Sequence, residues 1–163
     1  MNIEIRAAAA GDLPIINAIY NHYVALSPAS YDLIPMSEAL RRDWWKDHEG
    51  VYPVLVAEST AGVVGWASLS QYRGRPGYRF TVENSVFLQP DSQGQGLGTR
   101  LLTHLLESGR VAGFHTVLAC VESSQTASIR LHQRLSYRQV GTLEQVGWKF
   151  DRWLDTLIFQ RHL

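Results

Sequence analysis

The chain has 163 residues, of which 45% are hydrophobic and 18% are charged, values typical of one globular domain spanning residues 1–163. Its 15 basic and 15 acidic residues give a formal net charge of zero, which argues against nucleic acid or an anionic membrane as a partner. The sequence shows neither a signal-peptide pattern nor an apolar run of membrane-spanning length, so a cytoplasmic location is expected.

Two helices are predicted in the first third of the chain, after a short strand over residues 3–7. Asp12 is the expected N-cap of the first helix, with Pro14 in its first turn. Ser37 is the expected N-cap of the second helix, which ends near Gly50. Apolar side chains at helical spacing predict the buried face of each helix. They are Leu13, Ile16, Ile19, Tyr20, Tyr23 and Val24 in the first helix, and Leu40, Trp44 and Trp45 in the second.

Three strands follow, over residues 54–58, 63–70 and about 79–88. Ala61 and Gly62 form the turn between the first two of these strands. The segment between the second and third strands is irregular, and it carries several arginines and two glycines around a proline. Such a composition is typical of a functional loop.

The segment after the third strand has the pattern of a phosphate-binding loop. Gly94, Gly96 and Gly98 allow the backbone to approach a ligand closely, and the helix that follows presents N–H groups without partners to an anion. No lysine follows these glycines, which excludes the nucleotide P-loop, and Thr99 stands where a dinucleotide loop needs its third glycine. The remaining pattern is Gln-x-x-Gly-x-Gly, beginning at Gln93, and a simple tight turn is the alternative to a phosphate site.

Helices and strands alternate in the rest of the chain. The predicted elements are a helix to about residue 112, a strand over 116–121, a helix over 126–135 and strands over 138–146 and 153–161. Cys120 lies in an apolar run of the first of these strands, so a small core residue is favoured over a reactive thiol. As the single cysteine, Cys120 cannot form an intramolecular disulfide or a cysteine-based zinc site, and no metal is expected.

Two titratable residues are candidates for acid and base chemistry. Glu83 lies in an otherwise apolar strand, where partial burial raises a carboxyl pKa toward the neutral range. His132 lies in a helix, and an imidazole titrates near neutral pH. The residue pattern alone leaves an alternative for each: a solvent-facing or salt-bridged strand residue for Glu83, and a structural histidine for His132.

The glycine pattern from Gln93 to Gly98, placed between a strand and a leucine-rich helix, resembles the coenzyme A pyrophosphate loop of the GNAT superfamily of N-acetyltransferases. The order of the predicted elements is similar to the fold of that superfamily over essentially the whole chain. The resemblance implies an α/β fold of the α+β type, with a central mixed, mostly antiparallel β-sheet flanked by helices. Several stretches resemble the phosphinothricin and methionine sulfoximine/sulfone acetyltransferases in particular. They are residues 73–75, 78–87, 128–132, 135–137, 146–150 and 153–155.

The resemblance implies acetyl-CoA as the co-substrate, with no metal. The residues that it assigns to the coenzyme are Val86, Phe87, Leu88, Gln93, Gly94, Gln95, Gly96, Leu97, Gly98, Thr99, Gln125 and Ser128. A backbone N–H near Phe87 and Leu88 is expected to hydrogen-bond the oxyanion that amine attack creates.

The resemblance also assigns the catalytic residues. Attack on a thioester requires a neutral amine, so a base must remove the ammonium proton. In the resembling enzymes the glutamate that matches Glu83 is this base, directly or through water, and we expect it to contact the substrate. His132 stands where many GNAT enzymes carry a tyrosine acid, so a supporting acid/base role is expected. Tyr137 and water are the other possible proton donors to the leaving thiolate, and a core aromatic is the favoured role for Tyr137.

The implied substrate is a small amino-acid-like molecule, such as phosphinothricin, methionine sulfoximine or methionine sulfone, acetylated on its α-amino group. Arg73 and Arg75 match a basic pair that faces the acidic head of such substrates, because guanidinium groups pair well with carboxylate or phosphinate oxygens. Tyr78 matches a nearby aromatic ligand, and Tyr31 matches an aromatic that walls the pocket. A solvated basic loop is the alternative for the arginines. A homodimer is expected from the resemblance alone.

Three positions depart from the family pattern. Asn84 replaces a frequent histidine, Gln125 replaces an asparagine that commonly bonds the pantetheine arm, and Ser136 replaces a glycine. These changes bear on substrate range and coenzyme affinity. Two other functions stay open: a protein N-terminal or polyamine acetyltransferase, and a non-catalytic acyl-CoA-binding module that has no need of Glu83. Arg73 and Arg75 disfavour a polyamine, since a polycation calls for acidic pocket residues.

Overall fold

The computed structural model describes residues 3–163, which form a seven-stranded sheet flanked by helices. The strands are β1 (Ile3–Ala7), β2 (Val54–Ser59), β3 (Gly62–Gln71), β4 (Thr81–Leu88), β5 (Thr116–Glu122), β6 (Arg138–Lys149) and β7 (Arg152–His162). The helices are α1 (Leu13–Leu26), α2 (Glu38–His48), α3 (Leu97–Val111) and α4 (Thr126–Arg134). Every predicted helix and strand is present within a few residues of its expected ends, and the predicted fold class is confirmed.

The strands lie in the order β1-β2-β3-β4-β5-β7-β6, and among them β4 and β5 alone run parallel. Helix α3 is the crossover between these two strands, which explains why they are parallel. Their ladder covers only residues 81–83 of β4 and 116–118 of β5. Beyond this point the two strands diverge and leave a gap in the middle of the sheet.

A leucine-rich core covers one face of the sheet. The leucines of α3 at helical spacing pack there on alternate residues of the central strands. The fully or nearly fully buried members are Leu97, Leu101, Leu102, Leu105, Leu106, Val82, Val117, Ala119 and Phe159. This packing fixes the start of α3 beside the gap between β4 and β5.

The buried face of α2 differs from the prediction. Leu40 is exposed, whereas the neighbouring Arg41 is only 2% exposed. The Arg41 guanidinium lies between the rings of Tyr20, Trp44 and Trp66, with its carbon 4.7 to 5.4 Å from the ring centroids, and its Nε donates to Asn17. Burial lowers the pKa of Arg41 to about 10. An arginine can be buried here because aromatic faces attract a weakly hydrated cation. The spacing of apolar residues in the sequence does not predict such a contact.

The two predicted helix caps have different outcomes. The Ser37 hydroxyl accepts a hydrogen bond from the Leu40 N–H, so it caps α2 as predicted. Asp12 stands at the N-cap position of α1, but its side chain makes no cap hydrogen bond there. Its carboxylate pairs instead with Arg6 and accepts from the Ala9 N–H, and the Arg6 contact holds the pKa of Asp12 below its usual range. The predicted position of Asp12 at the start of α1 is therefore confirmed, whereas the prediction that its side chain caps the helix is wrong.

None of the helices within residues 3–163 combines the length and apolar character needed to cross a membrane.

Candidate active site

A cavity of about 920 Å³ occupies the gap between β4 and β5. It runs from the glycine loop before α3, past the open edge of β4, to the segment that joins α1 and α2. Eleven of the twelve residues assigned to the coenzyme line it, as do Glu83, His132 and Tyr31. The lining coenzyme residues are Val86, Phe87, Leu88, Gln93, Gly94, Gly96, Leu97, Gly98, Thr99, Gln125 and Ser128.

Gln95 does not line the cavity. Its side-chain amide donates to the Asp91 carbonyl instead, so only its place in the loop agrees with the prediction.

The glycine loop has the backbone geometry of an anion cradle. Gly94 and Gly96 adopt φ values of 75° and 76°, a left-handed conformation that favours glycine, and Gly96 is the N-cap residue of α3. Gly98 lies within the first turn of α3, where an added Cβ would sit 3.5 Å from Leu131. The first N–H groups of a helix have no partners within it, and the first residues of α3 line the cavity, so their N–H groups are available to phosphate oxygens. The residues present therefore fit a pyrophosphate group.

The side chain of Gln93 is engaged within the protein. Its amide donates to the Tyr23 hydroxyl over 2.6 Å, and that hydroxyl donates to the Leu88 carbonyl at the end of β4. This pair of hydrogen bonds connects the glycine loop to α1 and to the open strand edge. Tyr23 thus fixes the position of the loop, a role that the sequence did not indicate.

Glu83 lies where the β4 and β5 ladder ends, opposite Leu118. Because side chains alternate along a strand, Glu83 and Cys120 lie on the same face of the sheet. Burial raises the pKa of Glu83, and a hydrogen bond from the Cys120 thiol partly opposes this effect. A half-buried carboxyl with a raised pKa, facing a cavity, has the properties of a general base.

The prediction that Cys120 is a core residue is wrong. Cys120 is exposed to the cavity, because the divergence of β4 and β5 uncovers this face of β5. The enclosing walls and the neighbouring Glu83 raise the pKa of the thiol to about 12, so it is not a reactive thiolate at neutral pH. The apolar run around Cys120 predicts a buried strand. It cannot show that the pairing of β5 with β4 ends at Leu118, before Cys120 is reached.

His132 belongs to a buried hydrogen-bond network. It is 3% exposed, and its Nδ1 lies 2.8 Å from the Ser128 carbonyl, which can only accept. Nδ1 therefore carries the proton, and Nε2 accepts from the Asn84 amide over 3.1 Å. The Asn84 carbonyl oxygen in turn accepts from the Tyr137 hydroxyl over 2.8 Å. Burial lowers the pKa of His132, so the imidazole is neutral and can give a proton to a ligand only after taking one up.

Two of the departures from the family pattern have clear structural consequences. Asn84 supplies both a donor and an acceptor, which is what the pair of His132 and Tyr137 requires. Ser136 adopts φ 62°, in the left-handed region, so the structure explains why a glycine suits this position. Tyr137 is 4% exposed and packs within the core, consistent with the core role favoured from the sequence. Gln125 immediately precedes α4 and lines the cavity.

The arginine loop between β3 and β4 leaves the sheet next to Glu83, since Ser70 pairs with Glu83 across the two strands. Arg73, Arg75 and Tyr78 are exposed and do not line the cavity. The Arg73 guanidinium lies 5.0 Å from the ring centroid of Tyr72 and 5.8 Å from that of Tyr78. Their assignment to the substrate stays a prediction.

Several cavity residues were not foreseen from the sequence. Arg130 and Arg134 on α4 contribute positive charge to the cavity, one helical turn apart, and this spacing could have indicated a shared face. Glu122 is buried, and its carboxylate accepts hydrogen bonds from Ser124 in the turn before α4. Thr156 of β7 lines the cavity beside Tyr31, and no local pattern indicates this contact between residues 125 positions apart.

The neutral state of His132 predicts a loss of stability in acid. Burial lowers the pKa of His132 and of His48 in the folded protein, below their ordinary value of 6.5. Protonation near that pH therefore favours the unfolded chain, and stability that is complete above pH 6.5 falls as the pH drops further. We expect His132→Gln to reduce this pH dependence by up to about 1.4 kcal/mol per pH unit between pH 6.5 and 5. Urea unfolding at several pH values measures it.

The matched control is His104→Gln, which changes an exposed histidine of α3. This variant should keep the full pH dependence of the free energy of unfolding. An unchanged dependence in His132→Gln would contradict the assignment of a neutral buried imidazole.

Comparison with known proteins provides independent information on this site. The model of the acetyltransferase (GNAT) family matches residues 16–137. The chain is 43% identical to the L-methionine sulfoximine/L-methionine sulfone acetyltransferase of Pseudomonas aeruginosa, covering 100% of this chain and 96% of that protein. It is 39% identical to the phosphinothricin N-acetyltransferase of Alcaligenes faecalis, covering 98% and 82% of the two chains.

A solved structure extends the similarity to three dimensions. It is a putative acetyltransferase from Salmonella typhimurium with its cofactor acetyl-CoA, with a TM-score of 0.96 and 40% identity. The match covers 100% of this chain and 95% of that one.

Proposed function

The chain belongs to the GNAT family of acetyltransferases, and on this basis we propose that it acetylates the α-amino group of a small amino acid, with acetyl-CoA as donor. The observation that carries the proposal is the single cavity between β4 and β5. It joins the glycine cradle at one end to the half-buried Glu83 at the other. A donor that carries phosphate and a base that can deprotonate an amine are both required for this reaction.

The glycine cradle is the proposed seat of the coenzyme. Gly94 and Gly96 turn the loop so that the N–H groups at the start of α3 face the cavity, and Arg130 and Arg134 add positive charge from α4. Bound there, acetyl-CoA supplies the thioester that is attacked. Within residues 3–163, the edge of β4 from Asn84 to Leu88 has no partner strand on the β5 side, and it lines the cavity between the cradle and Glu83.

Glu83 is the proposed general base. An α-ammonium group has no lone pair, so Glu83 takes its proton, directly or through water, before the nitrogen attacks the thioester carbon. Burial of Glu83 raises its pKa, which brings its proton affinity closer to that of the amine. A backbone N–H of β4 near Leu88 hydrogen-bonds the carbonyl oxygen as it gains charge. His132 has no proton on Nε2, so it cannot donate one directly from that atom. We propose that it positions the Asn84 side chain and that it passes on a proton only after it has accepted one.

The proposed substrate class is a small amino acid or analogue with a second acidic or polar group, such as phosphinothricin, methionine sulfoximine or methionine sulfone. Relatives covering almost the whole chain carry these names. Tyr31 and Thr156 wall the cavity on the face of Glu83, and Arg73 and Arg75 are the proposed partners of the acidic head. We further propose a cytoplasmic homodimer, and sedimentation tests the dimer.

The test is release of coenzyme A thiol from acetyl-CoA across a panel of amines. The panel contains phosphinothricin, methionine sulfoximine, methionine sulfone, a polyamine and a peptide with a free N-terminus. Turnover confined to the amino-acid analogues supports the proposal. Turnover confined to the peptide or the polyamine refutes the substrate class, and acetyl-CoA binding without turnover on any amine supports a binding module.

Replacing the loop arginines tests the acidic-head assignment. Arg73→Gln and Arg75→Gln should each raise the KM for phosphinothricin about tenfold, because a charged hydrogen bond to the phosphinate is lost. The KM for acetyl-CoA should not change. Arg110→Gln, which changes an exposed arginine at the far end of α3, is the matched control. An unchanged KM for phosphinothricin in both loop variants would exclude these arginines from substrate binding.

A further inference from the structure

The segment between α1 and α2 forms one wall of the cavity, and both α1 and the C-terminal hairpin hold it in place. Residues 28–31 line the cavity on the face that carries Glu83 and Cys120. The segment itself lacks helix and strand structure, and it depends on contacts with distant residues to keep one position. The most distant of these contacts are made by β6 and β7.

Lys149 of β6 is the first of these contacts. Its side chain is 4% exposed, and Nζ donates to the Ser27 carbonyl over 2.9 Å and to the Ser30 carbonyl over 2.7 Å. Among the described residues, none of the salt bridges includes Lys149, and burial lowers its pKa. A buried ammonium whose hydrogen bonds go to two carbonyls of one segment fixes that segment in place.

Gly147 of β6 is the second contact, and it involves Tyr31. A Cβ added to Gly147 would lie 3.0 Å from Cζ of the Tyr31 ring and 2.7 Å from Cε2, and the second distance is shorter than non-bonded carbon atoms approach one another. The ring therefore lies directly against the backbone of the hairpin. On the neighbouring strand, the Thr156 hydroxyl lies 2.6 Å from the Tyr31 hydroxyl. The position of the ring is thus set from both strands of the hairpin.

The geometry points to Gly147 as a specificity-determining residue and to Lys149 as a positioning residue for the amine substrate. Gly147 provides the space in which the Tyr31 ring lies, and Lys149 holds the backbone that leads into Tyr31. Together they set the width of the cavity opposite Glu83. This inference rests on the proposed function, because it assumes that the end of the cavity near Glu83 receives the amine.

A double-mutant cycle between Gly147 and Tyr31 tests the first role. Gly147→Ala should raise the KM for methionine sulfoximine about tenfold, because the new methyl group displaces the ring, while the KM for acetyl-CoA stays the same. In a Tyr31→Ala background the same substitution should have no further effect, because no ring is left to displace. Gly141→Ala is the matched control, since it lies in the same strand and a Cβ there has nothing within 4 Å.

Two results would overturn the role of Gly147. One is an equal effect of Gly147→Ala with and without the Tyr31 ring, which would show that the methyl group acts elsewhere. The other is an equal rise in the KM values of both substrates. If the enzyme acetylates no amine at all, the proposed function fails, and the role of Gly147 in amine specificity fails with it.

Hydrogen exchange tests the role of Lys149 without any turnover. Lys149→Met keeps an unbranched apolar side chain as far as Cε and removes the ammonium with its hydrogen-bond donors, so amide exchange in residues 27–32 should become faster by about tenfold or more. Exchange in the α3 leucine core should not change. Lys46→Met, at an exposed lysine of α2, is the control and should leave both regions unchanged. Unchanged exchange in residues 27–32 of Lys149→Met would refute the positioning role, whatever the reaction proves to be.

Discussion

Replacing Glu83 with glutamine is expected to lower kcat/KM for the amine by about 10²–10⁴-fold, the usual contribution of a general base. Glutamine keeps the size of the side chain and its place at the end of the β4 and β5 ladder, but it cannot accept the ammonium proton. The dissociation constant of acetyl-CoA should be unchanged, because the cradle lies at the other end of the cavity. Thiol release and calorimetric titration with acetyl-CoA measure the two quantities.

The pH profile gives the Glu83 prediction a second readout. The base form exists only above the raised pKa of Glu83, so activity of the unchanged protein should fall as the pH drops through that pKa. Removing the thiol in Cys120→Ala takes away a hydrogen bond that lowers the pKa of Glu83, and the acidic limb should move to higher pH. Glu107→Gln, at an exposed glutamate of α3, is the control. Full activity of Glu83→Gln across this pH range would remove Glu83 as the base and revive the binding-module alternative.

Placing a negative charge in the glycine cradle is expected to weaken acetyl-CoA binding about a thousandfold. Gly96→Asp puts a carboxylate where the pyrophosphate is proposed to bind, and two like charges about 4 Å apart near a protein surface repel by about 4 kcal/mol. Gly96→Asn is the comparison variant. Asparagine and aspartate both tolerate the left-handed conformation at φ 76°, so the pair differs mainly in charge.

The stability of these variants separates binding from folding. Gly96 is the N-cap of α3, and aspartate is favourable both as a cap and near the positive end of a helix. Gly96→Asp should therefore be at least as stable as Gly96→Asn while it binds acetyl-CoA far more weakly. Gly113→Asp, at a second left-handed glycine just beyond the other end of α3, should leave acetyl-CoA binding unchanged. Equal affinities of Gly96→Asp and Gly96→Asn would place the pyrophosphate away from this loop.

Much of the site could be predicted from the sequence where the relevant contacts are local. The glycine loop is one example, because backbone conformation and helix N-terminal chemistry depend on residues that are adjacent in the chain. Ser37 is another, since an N-cap and its helix are neighbours. Arg41 shows the limit, because its burial depends on three aromatic rings that come from α1, α2 and β3. Hydrophobic periodicity predicted that Leu40 is buried, and it cannot predict that a guanidinium group is buried among aromatic rings.

The sequence by itself determined the order of the elements, the place of the anion cradle and the identity of the candidate base, because each depends on local pattern or on a family resemblance carried by short motifs. Only the tertiary structure decided that β4 and β5 diverge after Glu83, and this divergence opens Cys120 to the cavity. It also decided the protonation of His132, through Asn84 and Ser128, and the position of Tyr31, through Gly147 and Thr156. These features depend on residues up to 125 positions apart, and their contacts exist only once the sheet has brought them together.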